Sequence, residues 1–151
     1  MHPKFATLAD SLHPLFVRLL DCPPHTGRVR LPKDTPRCGV YLFSEGSDHL
    51  YVGRTDRLRD RHKDHWSTKQ NDVPFAFKLA RHATNNLGKG GLSRKLLKDD
   101  PLFAAAFTAA TERVAMMDFR WVAEDDPNRQ CLLEIYATVV LEAPYNDFIN
   151  H

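Results

Sequence analysis

A few side chains in this sequence stand where they could do chemistry. Glu134 is the only formal charge in the run 131–141, between Leu133 and Ile135. A carboxylate amid that much apolar surface is desolvated, paired or metal-bound, or it lies on the exposed stripe of a helix. For Glu134 alone, the exposed stripe is the simpler reading. Tyr41 and Tyr51 stand on either side of a short link between two β-rich runs. Alone, they read as a cross-strand aromatic pair that packs rather than reacts. Arg57, Arg61 and His65 recur every four residues and so share one stripe of a helix. Alone, Arg61 is a surface arginine.

Several other motifs fail. Gly88-Lys89 lacks the upstream glycine and the following Ser or Thr of a phosphate-binding P-loop. His62 and His65 have no partner ligands at zinc spacing. No G-x-S-x-G elbow is present, and no cysteine sits in a nucleophile context.

The elements that must position these residues follow from local pattern. Leu8, Leu12, Leu15, Phe16, Leu19 and Leu20 lie at helical spacing and predict an amphipathic helix over 6–20, with Pro14 as a dent or a start. Residues 21–38 form a Pro-rich connector that carries four Arg or Lys. The runs 39–43 and 49–53, around Ser44-Glu45-Gly46-Ser47-Asp48, predict a β-hairpin. With an odd loop Tyr41 can stand directly opposite Tyr51; an even loop sends the two to opposite faces. Thr55 or Asp56 can cap a helix that runs to about residue 66 and carries Arg57, Arg61 and His65. Further helices are predicted over 74–86, 92–98 and 101–111, then a strand within 116–124. Asp126-Pro127 opens a final helix to about residue 141.

The expected architecture is therefore α/β (α+β): a small antiparallel three-stranded sheet flanked by helices, with an N-terminal helical extension. Residues 1–38 belong to the same unit as a domain over 39–151, and 66–115 form a helical insertion in it. At 151 residues, 42% hydrophobic and 26% charged, the chain can bury a core without a metal or disulfide staple. Three cysteines without a C-x-x-C pair imply reduced thiols and a cytoplasmic setting. No apolar run approaches the roughly 20 residues that span a bilayer, so no membrane partner is expected. The first residues lack the apolar core of a secretion signal.

Net charge is only +2, yet its distribution is uneven. Residues 1–111 hold 18 Lys and Arg against 11 Asp and Glu, a balance of +7; residues 112–151 hold 3 against 8, a balance of −5. The basic front suits a polyanion, although a solvated face of mixed charge would give the same count.

Taken together, Gly39-Val40-Tyr41, nine intervening residues, and Tyr51-Val52-Gly53 resemble the paired signature of the GIY-YIG nuclease family. Arg61 stands ten residues after the second tyrosine, where that family carries an arginine on the next helix. His65, one turn later, matches a histidine of many members. Glu134, followed twelve positions later by Asn146, is similar to the family's metal-binding glutamate and downstream asparagine. The resemblance covers about 39–146, with 66–126 matching only as a spacer, and valine replaces isoleucine in both tripeptides.

The resemblance implies a metal-dependent endonuclease that hydrolyses phosphodiester bonds in DNA. Glu134 would hold one Mg²⁺ or Mn²⁺ and Arg61 would grip phosphate oxygens, while His65 would donate to the phosphate or assist proton transfer. One tyrosine would be the general base, Tyr51 in preference, with Tyr41 positioning water. A free phenol has a pKa near 10, so it needs a cation close by, and Arg54 and Arg61 are the candidates. Gly53 would let backbone approach the phosphate, Gly39 completes the first tripeptide, and Asn146 would bracket the site. Arg54, Arg57, Lys63, Lys78, Arg81, Lys89, Arg94 and Lys95 are candidates for backbone phosphate contacts. The alternatives are a non-catalytic nucleic-acid-binding module on the same fold, and an interaction domain whose spacings coincide. Monomer and homodimer both remain open. Only 1–38 and the 66–115 helices are left to recognise a target, which favours structure-directed or weakly specific cutting.

Overall fold

The computed structural model describes every residue except 68, 70–72, 88–90 and 149–151. Two helices, α1 (Pro3–Asp10) and α2 (Leu12–Asp21), occupy the span expected to hold one. The break has a local cause. Pro14 has no N–H for the Asp10 carbonyl and its ring crowds that carbonyl, so the helix restarts with Pro14 in its first turn. Ser11 sits at the break and donates its hydroxyl to the Leu8 carbonyl, 2.6 Å away.

The hairpin forms as β1 (Gly39–Glu45) and β2 (Asp48–Thr55), both longer than predicted. Glu45 pairs with Asp48, which leaves Gly46 and Ser47 as a two-residue turn. Gly46 adopts φ +59 there, a conformation that suits glycine in a tight hairpin. By itself this even turn would put the two tyrosines on opposite faces. The register shifts between Phe43 and Ser44, however, so that Phe43 pairs with Tyr51 and Tyr41 with Gly53. This bulge inserts one extra residue into β2 and returns Tyr51 to the face of Tyr41. The tyrosines are diagonal neighbours, not the directly opposed pair expected from an odd loop.

After α3 (Leu58–Asp64) come α4 (Pro74–Ala83), α5 (Arg94–Lys98) and α6 (Pro101–Ala115), then β3 (Asp118–Ala123) and α7 (Pro127–Val140). The last helix starts as expected: Asp126 accepts from the Arg129 N–H at 2.7 Å and Pro127 follows. β3 pairs antiparallel with β1, which gives the sheet order β2-β1-β3. The fold is thus the expected mixed α/β arrangement around a three-stranded antiparallel sheet.

Alternation along the strands builds two cores. Val40, Leu42, Val52 and Val122 face Leu12, Leu15, Phe16 and Leu19 of α2 and Leu133 and Ala137 of α7. Within the N-terminal extension, α2 packs directly on the sheet and α7. Tyr41, Phe43 and Phe119 point the other way, against Phe75, Phe77 and Leu79 of α4 and Phe103 and Phe107 of α6. The helical insertion is no appendage, because it supplies the wall that buries the tyrosine face. No described helix is long and apolar enough to cross a membrane, and Cys22, Cys38 and Cys131 are all unpaired.

Candidate active site

Tyr41 lies at the centre of the middle strand and is 1% exposed. Its ring fits because its partner across the ladder is glycine: a Cβ on Gly53 would overlap the phenol ring and hydroxyl. Gly53 thus has a packing role here, in addition to any approach of backbone to a ligand. Gly39 is similarly constrained, since a Cβ there would overlap the Val122 carbonyl and touch Leu58.

The helix α3 brings two partners to the Tyr41 hydroxyl. Thr55 Oγ1 accepts from the Arg57 N–H at 3.1 Å, but the cap position is Arg57 and no side chain caps the helix, so neither Thr55 nor Asp56 fills the role expected of it. One turn on, Arg61 donates Nε–H to the Tyr41 oxygen at 3.3 Å. His65 places Nε2 at 3.2 Å from the same oxygen. The imidazole is 1% exposed, packed edge-on against Phe43 with centroids 4.7 Å apart. Its Nδ1 is buried with no hydrogen-bond partner among the described residues. The resemblance implied that His65 donates to the phosphate or assists proton transfer; in the structure the ring is enclosed and its Nε2 faces the Tyr41 hydroxyl.

Tyr51 is the more accessible phenol. It is half-buried and stacks on Phe75 of the insertion at 4.6 Å and 9°, and its centroid is 6.4 Å from that of Tyr41. Burial pushes both phenols above the usual tyrosine range; Arg61 pulls each down without overcoming it, and Glu134 adds to the rise. Burial also takes the His65 imidazole well below the ordinary histidine range, assisted by Arg61 and His62. At neutral pH the cluster is therefore two neutral phenols, a neutral imidazole and one guanidinium. Arg61 supplies the expected cation. Arg54 does not, because it lies on the Val52 face of β2 and turns to α7.

There Arg54 Nε meets Glu134 Oε2 at 3.0 Å. The Glu134 side chain is 20% exposed, so the exposed-stripe reading fails, while neighbouring Ile135 is 40% exposed. A carboxylate turned in beside an isoleucine turned out is a reversal of ordinary amphipathic order. Burial raises the Glu134 pKa, and Arg54 and then Lys78 oppose the rise. Glu134 is near enough to both tyrosines for its charge to resist their ionisation.

Asn146 brackets β2. Its Oδ1 accepts from the Val52 N–H at 2.8 Å and its Nδ2 donates to the Val52 carbonyl at 2.7 Å. The side chain thus pairs with an edge strand as a further strand would.

The cationic residues divide. Arg54, Arg57 and Arg61 line a cleft of about 470 Å³ with Thr55, Asp56, Asp125 and Gln130. Arg57 also pairs with Asp64 at 3.3 Å. Lys78 ties down the C-terminal segment through the Tyr145 carbonyl and Asp147, both at 3.1 Å. Arg81 donates to the Leu92 carbonyl at 2.7 Å, and Arg94 lies 4.0 Å from the centroid of the Phe77 ring. Lys95 is exposed on α5, and Lys89 lies outside the described residues. Lys63 instead joins Arg57 in a second cleft with Arg30, Lys33, Arg37 and Arg59. Sequence reasoning missed these last four as a group. The signal was the connector's count of basic residues, which gave no indication of what they would face.

No protein-family model, curated protein or solved structure matches this chain.

Proposed function

We propose that this chain is a divalent-metal-dependent endonuclease of the GIY-YIG type, acting on phosphodiester bonds in DNA. The observation that carries the reading is the Tyr41 hydroxyl held between Arg61 and His65, with Glu134 within electrostatic reach of both tyrosines. Arg61 and His65, one turn apart at the end of α3, meet that hydroxyl from the central strand.

Among the described residues no group of three or more His, Cys, Asp or Glu converges as a metal site. Glu134 alone fits a hard cation that keeps several waters and takes phosphate oxygens for the rest of its shell. Its carboxylate is poorly solvated and would gain from a second positive charge, with Arg54 released toward the phosphate. Glu134 would hold Mg²⁺ or Mn²⁺, which when bound supplies charge neutralisation and a more acidic water.

The remaining steps belong to the chain's own groups. Arg61 lines the cleft and offers a planar fork suited to phosphate oxygens. Tyr51, the phenol that solvent reaches, orients the attacking water; it takes the water's proton only as the phenolate, after giving up its own proton to solvent. Tyr41 is the buried link that fixes Arg61, and His65 fixes Tyr41. Because burial holds the phenols neutral, base strength at Tyr51 depends on the added positive charge of the occupied site.

Purified protein is expected to nick supercoiled plasmid with Mg²⁺ or Mn²⁺, and Glu134→Ala and Arg61→Ala to abolish nicking. Wild type that leaves duplex, branched and single-stranded DNA intact under both metals would sink the reading.

A metal-free nucleic-acid-binding module is favoured by one observation, the Arg54 guanidinium that already neutralises Glu134. Binding that survives Glu134→Ala, with no cleavage under any condition, would select it.

A further inference from the structure

The second cleft, about 410 Å³, lies between the connector and the start of α3. Arg30, Lys33, Arg37, Arg57, Arg59 and Lys63 line it, against a single carboxylate, Asp60. All six cations are exposed. Arg57 has Asp64 as a partner and Arg37 donates to the Asp56 carbonyl at 3.3 Å. Arg30, Lys33, Arg59 and Lys63 are in no ion pair among the described residues. So many like charges around one hollow repel one another and raise the local potential, the footprint of a polyanion site.

The connector is fastened in place. Leu31 is 2% exposed within the core on the tyrosine face, and the Leu58 N–H donates to the Arg37 carbonyl at 2.8 Å. The basic side chains therefore stand on a fixed ledge rather than a loose tail. The Thr35 hydroxyl in the same wall is buried and lacks a hydrogen-bond partner among the described residues, which rewards an added donor or acceptor there. Arg57 lines both this cleft and the one that holds Arg54 and Arg61. The two clefts thus share a lining residue.

We propose that the connector cleft is a second phosphate-binding surface, along which the backbone of a nucleic acid continues beyond the Tyr41–Arg61 cluster. The choice of nucleic acid over other polyanions rests on the nuclease reading and on this shared residue. The surface positions a strand without reading bases, because its donors are long flexible cations.

The test is fluorescence anisotropy with a labelled DNA duplex and the full chain in chelator, across a salt series. Arg30→Gln/Lys33→Gln/Arg59→Gln is expected to weaken binding on the order of tenfold or more and to lower the salt slope by about three, roughly one per lost contact. Lys63→Gln alone should lower it by about one. Lys4→Gln/Arg18→Gln/Lys98→Gln removes equal charge elsewhere and should change the slope little. Equal losses in both triple variants, or none in the first, would overturn the proposal. A wild type that cuts DNA while the connector triple variant binds like it would overturn this inference alone. The predicted slope losses in a protein that never cuts would overturn the nuclease reading alone. Tighter binding of polyglutamate than of DNA would overturn nucleic acid as the occupant.

Discussion

The ring of Tyr41 fills the space in which a side chain on Gly53 would stand, so the two tripeptides of the hairpin are sterically coupled. Gly53→Ala pushes a methyl group into a buried phenol of the core on the tyrosine face. Overpacking of this kind costs about 1–3 kcal/mol. Urea unfolding should show that loss, and Tyr41→Leu should reduce the cost of Gly53→Ala in a double-mutant cycle. Strict additivity of the two would refute the coupling.

Asn146 makes its two hydrogen bonds to one residue, Val52, and each uses a different end of the amide. Asn146→Ala strands both backbone groups of an edge strand, a loss of about 1–3 kcal/mol. Asn146→Asp should be no rescue, because it sets a carboxylate against the Val52 carbonyl. Amide exchange at Val52 should accelerate in both variants, and unchanged protection there would contradict the bracket.

Two buried imidazoles make stability sensitive to acid. Burial and then His25 take His62 down to about 4, and burial takes His65 well below 6.5. Between about pH 6.5 and 4 the unfolded chain binds protons that the folded chain refuses. Stability is thus intact above pH 6.5 and falls as pH drops, by up to about 1.4 kcal/mol per pH unit from His62, with His65 acting in the same direction. Urea midpoints measured from pH 7 to pH 4.5 should fall less steeply in His62→Gln and in His65→Gln. Identical slopes in wild type and both variants would exclude this origin.

Arg54 holds down the pKa of a carboxyl that burial raises. In Arg54→Ala the Glu134 carboxyl should protonate at higher pH than in wild type. Where nicking requires the Glu134 carboxylate, its acid limb moves to higher pH in the variant. A limb that stays in place would separate Glu134 from the titration that controls activity.

Local signals carried most of the fold. Asp126-Pro127, Asp100-Pro101 and Gly46 each stop or start an element through their own backbone chemistry, and such rules operate within a few residues. The spacings of Tyr41, Tyr51, Arg61, His65 and Glu134 were legible in the sequence. Their surroundings were not, because those depend on what other elements bring. Nothing near His65 in sequence announces that Phe43 and Tyr41 will enclose it. The stack of Phe75 on Tyr51 comes from the helical insertion, whose pattern did not say what it would cover, and burial raises the phenol's pKa. Arg54 differs from Arg61 in that it sits on a strand face turned to α7, which depends on a register the spacing left open. The split at Ser11, by contrast, was available in Pro14.

The bulge beyond Phe43 and Tyr51 has a consequence for how this hairpin can vary. The site pairs are held from outside, by β3 on one edge and Asn146 on the other, while only two pairs and a turn lie past the irregularity. A residue added to the tip or removed from it can be absorbed by that slack before it reaches the pairing of Phe43 with Tyr51. The tip is thus where related chains can drift in length while their tyrosines stay in phase, and where an inserted tag would be tolerated best.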